Sequence, residues 1–174
     1  MNCDVMRSLT TVMVFFTLFI TASCISDDSS EIINHINIGD SVPKFSIEGV
    51  AGGSFNSTSF TGKRSLLVLF VTTCPDCQRE LPVINRIYDI VKDNPDILVL
   101  GISRGEDRSV IQEYWADAGF SIPAYLDPDR SVFDKFANST IPRIYIIDEN
   151  GIVEWMAIEK LEITEEALLA KLLY

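Results

Sequence analysis

Apolar residues along the chain form two kinds of pattern, unbroken runs and runs at helical spacing. Residues 66–71 and 97–102 are almost entirely apolar and of strand length, which is typical of strands buried on both faces of a parallel or mixed sheet. Between them, apolar residues recur every three or four positions over 81–91, which predicts an amphipathic helix. We expect this helix to begin at Pro75, because proline at the first helical position sacrifices no hydrogen bond. Together these segments predict a βαβ unit.

The remaining pattern extends this unit on both sides. Gly52 and Gly53 lie between two short extended segments and predict a β-hairpin before the first core strand. Further predicted elements are a helix over 110–118 that ends at Gly119, an extended piece over 124–126, a short helix over 131–136, strands over 144–147 and 152–157, and a last helix capped by Thr164. Strands that alternate with helices predict an α/β sandwich, and 174 residues suffice for one domain with a full core.

The first 23 residues have the pattern of an export signal. Arg7 precedes an apolar run over 9–22, which is shorter than the roughly 20 residues that a membrane-spanning helix needs. Small residues then precede Cys24, after which the sequence turns polar and acidic. We therefore predict a signal peptide over 1–23, a flexible acidic tether over 24–37 and the folded domain over 38–174. An uncleaved N-terminal anchor is the alternative.

The charge of the chain is strongly acidic and scattered. Lys and Arg number 14 against 25 Asp and Glu, which gives a net charge of -11. No run of Lys or Arg is present that could neutralise phosphate groups, so nucleic acid and anionic membrane surfaces are disfavoured as partners. A scattered surplus of one sign serves mainly solubility.

Two of the four cysteines form the motif Cys74-Pro75-Asp76-Cys77 at the predicted junction of a strand with a helix. A helix N-terminus stabilises a thiolate through its partial positive charge and free N–H groups, and the thiolate is the nucleophile in disulfide exchange. Two intervening residues on the first helical turn let the second sulfur reach the first. The motif therefore predicts attack by Cys74 and resolution by Cys77, with no cofactor beyond the pair.

The same spacing also occurs in structural zinc sites and in structural disulfides. Zinc requires two further Cys or His ligands, and the single histidine, His35, lies far upstream. A disulfide that closes only four residues stabilises a fold little by the entropy account. We therefore predict a reactive pair and no metal.

Several motifs in order resemble the TlpA/ResA-like branch of the thioredoxin superfamily. They are Gly39-Asp40-Ser41-Val42-Pro43-Lys44-Phe45, Gly62-Lys63, the cysteine pair with Glu80 and Pro82 behind it, Ile141-Pro142, and Ile147-Asp148-Glu149-Asn150-Gly151. The resemblance covers nearly all of 38–173. It implies a thioredoxin-like three-layer α/β/α sandwich with a mixed central sheet and an N-terminal β-hairpin extension, and it implies a thiol-disulfide oxidoreductase.

The resemblance also assigns roles to residues beside the pair. Pro142 is implied to follow a cis peptide bond and to pack beside the cysteines, with the backbone of Ile141 offered to the substrate chain. Glu80 lies one helical turn beyond Cys77 and is implied to tune or relay the protons of the pair.

Cys24 and the residues before it are similar to the lipidation site of bacterial lipoproteins, although Thr21 stands where that site usually has leucine. The similarity implies a lipid-anchored, extracytoplasmic protein in a bacterial cell envelope, with soluble secretion as the alternative. We expect the protein to be a monomer. Its partners would be disulfide-containing envelope proteins, apocytochrome c among them. A membrane electron donor is also expected, because a soluble cytosolic reductant cannot act across the bilayer.

The pair departs from the family pattern at two positions. Thr73 precedes the first cysteine where the family usually has tryptophan, which changes the surface offered to substrates. Asp76, beside Pro75, adds a negative charge that opposes the thiolate form. We expect Pro75 and Asp76 to tune the redox properties of the pair. Destabilising the reduced thiolate form makes a dithiol a better reductant, so the sequence favours a protein-disulfide reductase.

Other functions stay open on the sequence alone. A thiol oxidase or isomerase would use the same fold and pair. A peroxiredoxin-like peroxidase shares the entry motif but requires Thr three residues before its reactive cysteine, where this chain has Val71. A copper-delivery module of the extracytoplasmic thioredoxin-like type separates its cysteines by three residues and adds a histidine after them. The sequence has neither feature. A non-catalytic lipoprotein that only binds partners would not need the pair.

Overall fold

A seven-stranded mixed sheet forms the centre of the domain in the computed structural model, which describes residues 31–174. The strands are β1 Ser46–Gly49, β2 Ser54–Asn56, β3 Arg64–Phe70, β4 Ile97–Arg104, β5 Ala124–Asp127, β6 Arg143–Ile147 and β7 Val153–Ile158. Their order across the sheet is β2-β1-β5-β4-β3-β6-β7. Strands β3, β4 and β5 run parallel, and the other neighbours are antiparallel. Strand β3, which leads to the cysteines, therefore lies between β4 and β6.

Helices cover both faces of this sheet in the described part of the chain. They are α1 Pro75–Val91, α2 Arg108–Ala118, α3 Phe133–Phe136 and α4 Glu165–Leu173, with a short 3-10 helix at Ser57–Phe60. Apolar side chains of α1, α2 and α4 pack in one core with Leu66, Val68 and Phe70 of β3. Leu67 and Leu69 face the opposite core, which aromatic residues of α3 and the 3-10 helix complete. The predicted α/β sandwich with a mixed sheet is confirmed, and its longer helices share one face.

The local signals that position the cysteines agree with the structure. Strand β3 is apolar from Leu66 to Phe70 because both of its faces are covered. Gly101 of β4 lies beside it, and a Cβ atom there would stand 2.9 Å from the ring of Phe70. The predicted hairpin is β1 with β2, and Gly52 and Gly53 turn it with positive φ angles.

Residues 33–37 lie at the start of the domain, with one β-bridge at Asn34 and a bend at His35 and Ile36, and we call them the N-terminal strap. We predicted 24–37 as a flexible tether, and the structure differs from that prediction over the strap. The backbone N–H groups of His35 and Ile36 both donate to the carbonyl oxygen of Phe136, at 2.9 and 3.2 Å. The strap packs against the domain because its backbone groups find partners there, which polar composition alone does not reveal.

The predicted signal peptide and Cys24 lie outside the described residues. Among residues 31–174, no helix combines the length and the apolarity needed to cross a bilayer.

Candidate active site

Cys74 occupies the N-cap of α1, the position just before the helix begins. Pro75 follows as the first helical residue, as predicted. The backbone N–H of Cys77 donates a hydrogen bond to the Sγ of Cys74 at 3.4 Å, and both cysteines are free thiols. The first turn of the helix therefore aims a backbone donor at the first sulfur, and that donor also serves the sulfur when it carries negative charge.

The two sulfurs differ in their exposure to solvent. Cys74 is half-buried, whereas the exposed fraction of Cys77 is 0%. Burial raises the pKa of Cys77, the neighbouring Cys74 and Asp76 act in the same direction, and a hydrogen bond with the backbone of Val71 opposes them. Cys77 is therefore a neutral thiol behind a more accessible sulfur, an arrangement that suits Cys74 for attack and Cys77 for resolution.

Asp76 forms an ion pair with Arg79, one turn further along α1. We predicted that Asp76 would bring negative charge to the pair, and Arg79 offsets part of that charge. The carboxylate nevertheless remains among the causes that raise the pKa of Cys77. The i,i+3 spacing of the two residues is the sequence signal that could have revealed Arg79.

The loop before β6 lies beside the reactive pair. Its Ile141–Pro142 peptide bond is cis, which confirms that prediction. The Sγ of Cys74 lies 3.9 Å from the carbonyl oxygen of Ile141. The backbone of Ile141 therefore borders the sulfur that a substrate disulfide would meet.

Glu80 is enclosed rather than solvated, with only 8% of its surface exposed. Its Oε1 accepts a hydrogen bond from the backbone N–H of Leu161 at 3.3 Å, in the segment between β7 and α4. The side chain therefore lies between the helix of the cysteines and a loop from the far end of the chain. Its role in handling the protons of the pair stays a prediction.

A second carboxylate, Glu106, fixes the backbone just before the pair, and sequence reasoning missed it. Glu106 follows β4 and accepts hydrogen bonds from the N–H of Thr72 at 2.9 Å and from its hydroxyl at 2.6 Å. The hydroxyl of Ser103 donates to the same carboxylate. On the other side, the Nε2 of Gln78 donates to the carbonyl oxygen of Thr72 at 2.8 Å. Thr72 is thus held from both sides, two residues before Cys74.

Metal-binding side chains do not gather around the pair in residues 31–174. No group of three or more His, Cys, Asp or Glu side chains in this range could hold a metal ion. The carboxylates of Glu80 and Glu106 accept hydrogen bonds from backbone N–H groups instead.

Comparison with known proteins places this geometry in a family. A sequence profile of the AhpC/TSA family matches residues 38–156, which is more than half of the chain. The chain belongs to the AhpC/TSA family. Thiol-disulfide oxidoreductase ResA of Geobacillus thermodenitrificans is 25% identical to it over 119 residues, 68% of either chain. ResA of Bacillus subtilis is 26% identical over 118 residues, 68% of this chain and 65% of that protein.

A solved structure of a related protein has the same fold as this chain. The solution structure of a candidate protein disulfide isomerase from Bacteroides thetaiotaomicron matches it with a TM-score of 0.76 and 26% identity, over 81% of this chain and 91% of that one. The predicted resemblance to TlpA/ResA-like thioredoxins is confirmed. With its free CxxC pair, the chain is a thiol-disulfide oxidoreductase.

Arg104 is a further side chain near the cysteine pair that sequence reasoning missed. It ends β4, and its guanidinium lies 4.6 Å from the centre of the Phe133 ring. Burial and the nearby charge of Arg130 lower the pKa of Arg104, whereas a negative charge on either cysteine sulfur acts to raise it. An anionic sulfur and Arg104 therefore stabilise each other. The available signal was a cation at the end of an apolar strand run.

Proposed function

We propose that the protein reduces disulfide bonds of proteins in a bacterial cell envelope, with Cys74 as the attacking and Cys77 as the resolving sulfur. The observation that carries this proposal is the asymmetry of the pair. Cys74 is accessible at a helix N-cap, and Cys77 is wholly buried behind it with a raised pKa. Exchange chemistry requires this order of accessibility, because only the first sulfur meets the substrate.

The reaction transfers two electrons from the dithiol to the substrate. The Cys74 thiolate attacks one sulfur of the substrate disulfide, that S–S bond breaks, and the other substrate sulfur leaves and takes up a proton. Cys77 then loses its proton and attacks the Sγ of Cys74. A Cys74–Cys77 disulfide forms, and the second substrate sulfur leaves as a thiol after protonation.

The environment of Cys77 supports the reducing direction. A pair is strongly oxidising when its reduced form is stabilised, as happens when a thiolate is held at low pKa. Here burial raises the pKa of Cys77, and Asp76 adds to the rise. The reduced form therefore gains no thiolate stabilisation from the buried sulfur, which makes the dithiol a better electron donor.

Glu80 is proposed as the group that receives the proton of Cys77 during resolution. It lies one helical turn beyond Cys77, and it is almost fully enclosed. A carboxylate close to a buried thiol can accept its proton without transfer through bulk solvent. The backbone of Ile141 and the adjacent Pro142 are proposed to align the substrate chain beside Cys74, since the Ile141 carbonyl lies 3.9 Å from that sulfur.

The location and partners belong to the same proposal. The sequence before Cys24 supports export followed by lipidation of this cysteine, and residues 24–32 then join the anchor to the strap. The substrates would be disulfide-containing envelope proteins, apocytochrome c among them. A membrane protein would return electrons to the pair, because the oxidised form lies on the far side of the bilayer from cytosolic reductants.

The reduction potential of the purified protein tests the direction of electron flow. A value near roughly -270 mV, that of thioredoxin, is expected, and a value near roughly -120 mV would make the protein an oxidant. Reduction of insulin disulfides by wild type and by Cys74→Ser tests the catalytic assignment. Equal rates for the two proteins would refute it.

The anchor is tested separately by fractionating cells that express wild type or Cys24→Ser. Wild type should be retained with the membrane, and the variant should be released. A matched variant, Cys3→Ser, should leave retention unchanged, because Cys3 would be removed with the signal peptide. Retention of Cys24→Ser at the wild-type level would contradict lipidation.

A further inference from the structure

Arg143, the first residue of β6, is a fully buried cation next to the loop over 139–142, which borders Cys74. Its exposed fraction is 0%. The Nε donates to the carbonyl oxygens of Ser139 and Thr140 at 3.1 and 2.9 Å, and one terminal nitrogen donates to Ser139 at 2.8 Å. The other terminal nitrogen donates to the Oδ1 of Asn34 at 2.8 Å. The guanidinium thus joins three residues of the chain to β6.

Among residues 31–174, the acceptors of this charge are all neutral. No carboxylate of residues 31–174 forms an ion pair with Arg143. A buried cation without a counter-charge is costly unless its donors are satisfied by well-placed acceptors. The carbonyls of the loop and the amide of Asn34 must therefore stay in place around the guanidinium, and the guanidinium in turn holds them.

The loop that Arg143 holds has an uncommon backbone. Thr140 has a φ of 66°, in the left-handed region that a β-branched residue rarely adopts. Its carbonyl is one of the acceptors of Arg143. The next residue is Ile141, whose own carbonyl borders the Sγ of Cys74. The hydrogen bonds of Arg143 therefore act on the two peptide units immediately before the one that faces the reactive sulfur.

The N-terminal strap completes this arrangement from outside. Asn34 forms a β-bridge with Ala137, and the N–H of Ile33 donates to the Oδ1 of Asn138 at 2.9 Å. The Nδ1 of His35 lies 2.9 Å from the carbonyl oxygen of Asp134. These contacts fix Asn34 beside Arg143, although more than 100 residues separate them in sequence. The strap is the part of the domain that continues towards Cys24.

We propose that Arg143 and Asn34 are positioning residues of the active site, through which the N-terminal strap sets the substrate-binding conformation of the loop over 139–142. The inference rests on the proposed role of Ile141 in aligning a substrate chain. It predicts that loss of these hydrogen bonds weakens reaction with polypeptide disulfides. Reaction of Cys74 with small reagents, which do not contact the loop, should stay the same.

The first test compares full-length Asn34→Ala, Asn34→Asp and a matched control, Asn37→Ala. The side chain of Asn37 is exposed and makes no hydrogen bond to the described residues, so it tests the strap without touching Arg143. Asn34→Ala should raise the KM for a disulfide-bonded peptide about fivefold with little change in kcat, since misplacing a positioning contact weakens productive binding. Asn34→Asp keeps an acceptor for the guanidinium and should restore the wild-type KM. Asn37→Ala should behave as wild type.

The second test uses Arg143→Gln and Arg143→Lys, each checked for folding by thermal unfolding. Arg143→Gln should lower kcat/KM for the peptide about tenfold or more, because one misplaced loop affects every productive encounter. Arg143→Lys keeps the positive charge but lacks the planar set of N–H donors of a guanidinium. Its kcat/KM for the peptide should therefore lie between those of wild type and Arg143→Gln. Alkylation of Cys74 by iodoacetamide should stay within about twofold of wild type in both variants.

Two results would overturn the inference. One is an equal fractional loss of peptide turnover and Cys74 alkylation, which would indicate general damage to the site. The other is unchanged kinetics in folded Asn34→Ala. If Arg143→Gln does not fold, Asn34→Ala alone decides. The peptide reaction is followed in whichever direction wild type catalyses, so an oxidising wild type would refute the proposed direction and leave this comparison intact.

Discussion

The Sγ of Cys74 accepts a hydrogen bond from the backbone N–H of Cys77 at 3.4 Å, while the side chain of Cys77 is itself wholly shielded from solvent. One turn of helix thus gives the two thiols different environments. The first has access to a substrate, and the second is reached only through the first.

The folded, reduced protein should therefore react with iodoacetamide at Cys74 and not at Cys77. Burial raises the pKa of Cys77, so this thiol stays neutral and shielded from about pH 7 to pH 9. Peptide mapping by mass spectrometry after a short pulse of reagent gives the label on each cysteine. Denaturant should make both thiols reactive, and label on Cys77 in the folded Cys74→Ser variant would contradict the assignment.

The free energy of unfolding at alkaline pH should depend on the same buried thiol, that of Cys77. In the unfolded chain Cys77 ionises near its ordinary value of 9.0, whereas the folded protein keeps the proton. Above about pH 9 the unfolded state binds fewer protons, so the free energy of unfolding falls by up to about 1.4 kcal/mol per pH unit from this group. Below about pH 9 the stabilisation that the protonated Cys77 contributes to the folded state is fully present. Urea unfolding of reduced wild type and Cys77→Ala across pH 8–10.5 measures it, and parallel curves would refute it.

Replacement of Glu106 should loosen the segment before the pair. Glu106→Ala leaves the N–H and hydroxyl of the nearly buried Thr72 without their acceptor, which should cost about 1–3 kcal/mol of stability. Turnover of a disulfide substrate should fall as well, since Thr72 lies two residues before Cys74. Glu113→Gln, an exposed change on α2, is the matched control. Wild-type stability in Glu106→Ala would show that solvent replaces the carboxylate.

Glu80→Gln should slow resolution more than attack. The amide keeps an acceptor for the N–H of Leu161 but cannot take the proton of Cys77. The mixed disulfide should therefore accumulate in quenched reactions, with a resolution rate about tenfold or more below wild type. Glu162→Gln removes an exposed carboxylate from the same loop and serves as control. Equal slowing of both steps would argue for a structural role of Glu80.

Local sequence patterns were sufficient to predict the framework of the site. The apolar run of β3 and the helical spacing behind Pro75 place the cysteines at a strand-to-helix junction without any long-range information. The order of motifs along the chain then added the cis bond before Pro142. The strand-to-helix junction depends on neighbouring residues, so a single sequence carries it, whereas the cis bond was implied by the family resemblance.

The groups around the pair could not be predicted in the same way. Glu106 meets Thr72 from 34 residues away, and Asn34 meets Arg143 from 109 residues away. Such contacts arise where the ends of different strands come together, and no periodicity encodes which loop residues then face each other. The strap illustrates this point, because the acidic stretch before it predicts a tether over 24–37, although the backbone of the strap pairs with Phe136.

Arg104 should raise the reactivity of Cys74. Its guanidinium is held against the ring of Phe133, and an anionic sulfur interacts favourably with its charge. Arg104→Gln should therefore slow alkylation of Cys74 by about threefold at pH 7 and low salt, because removing a nearby cation disfavours the thiolate. Arg104→Lys should retain most of the rate, and added salt should narrow the difference between wild type and Arg104→Gln. An alkylation rate that falls equally in Arg104→Lys and Arg104→Gln would assign the effect to lost packing on Phe133 instead of charge.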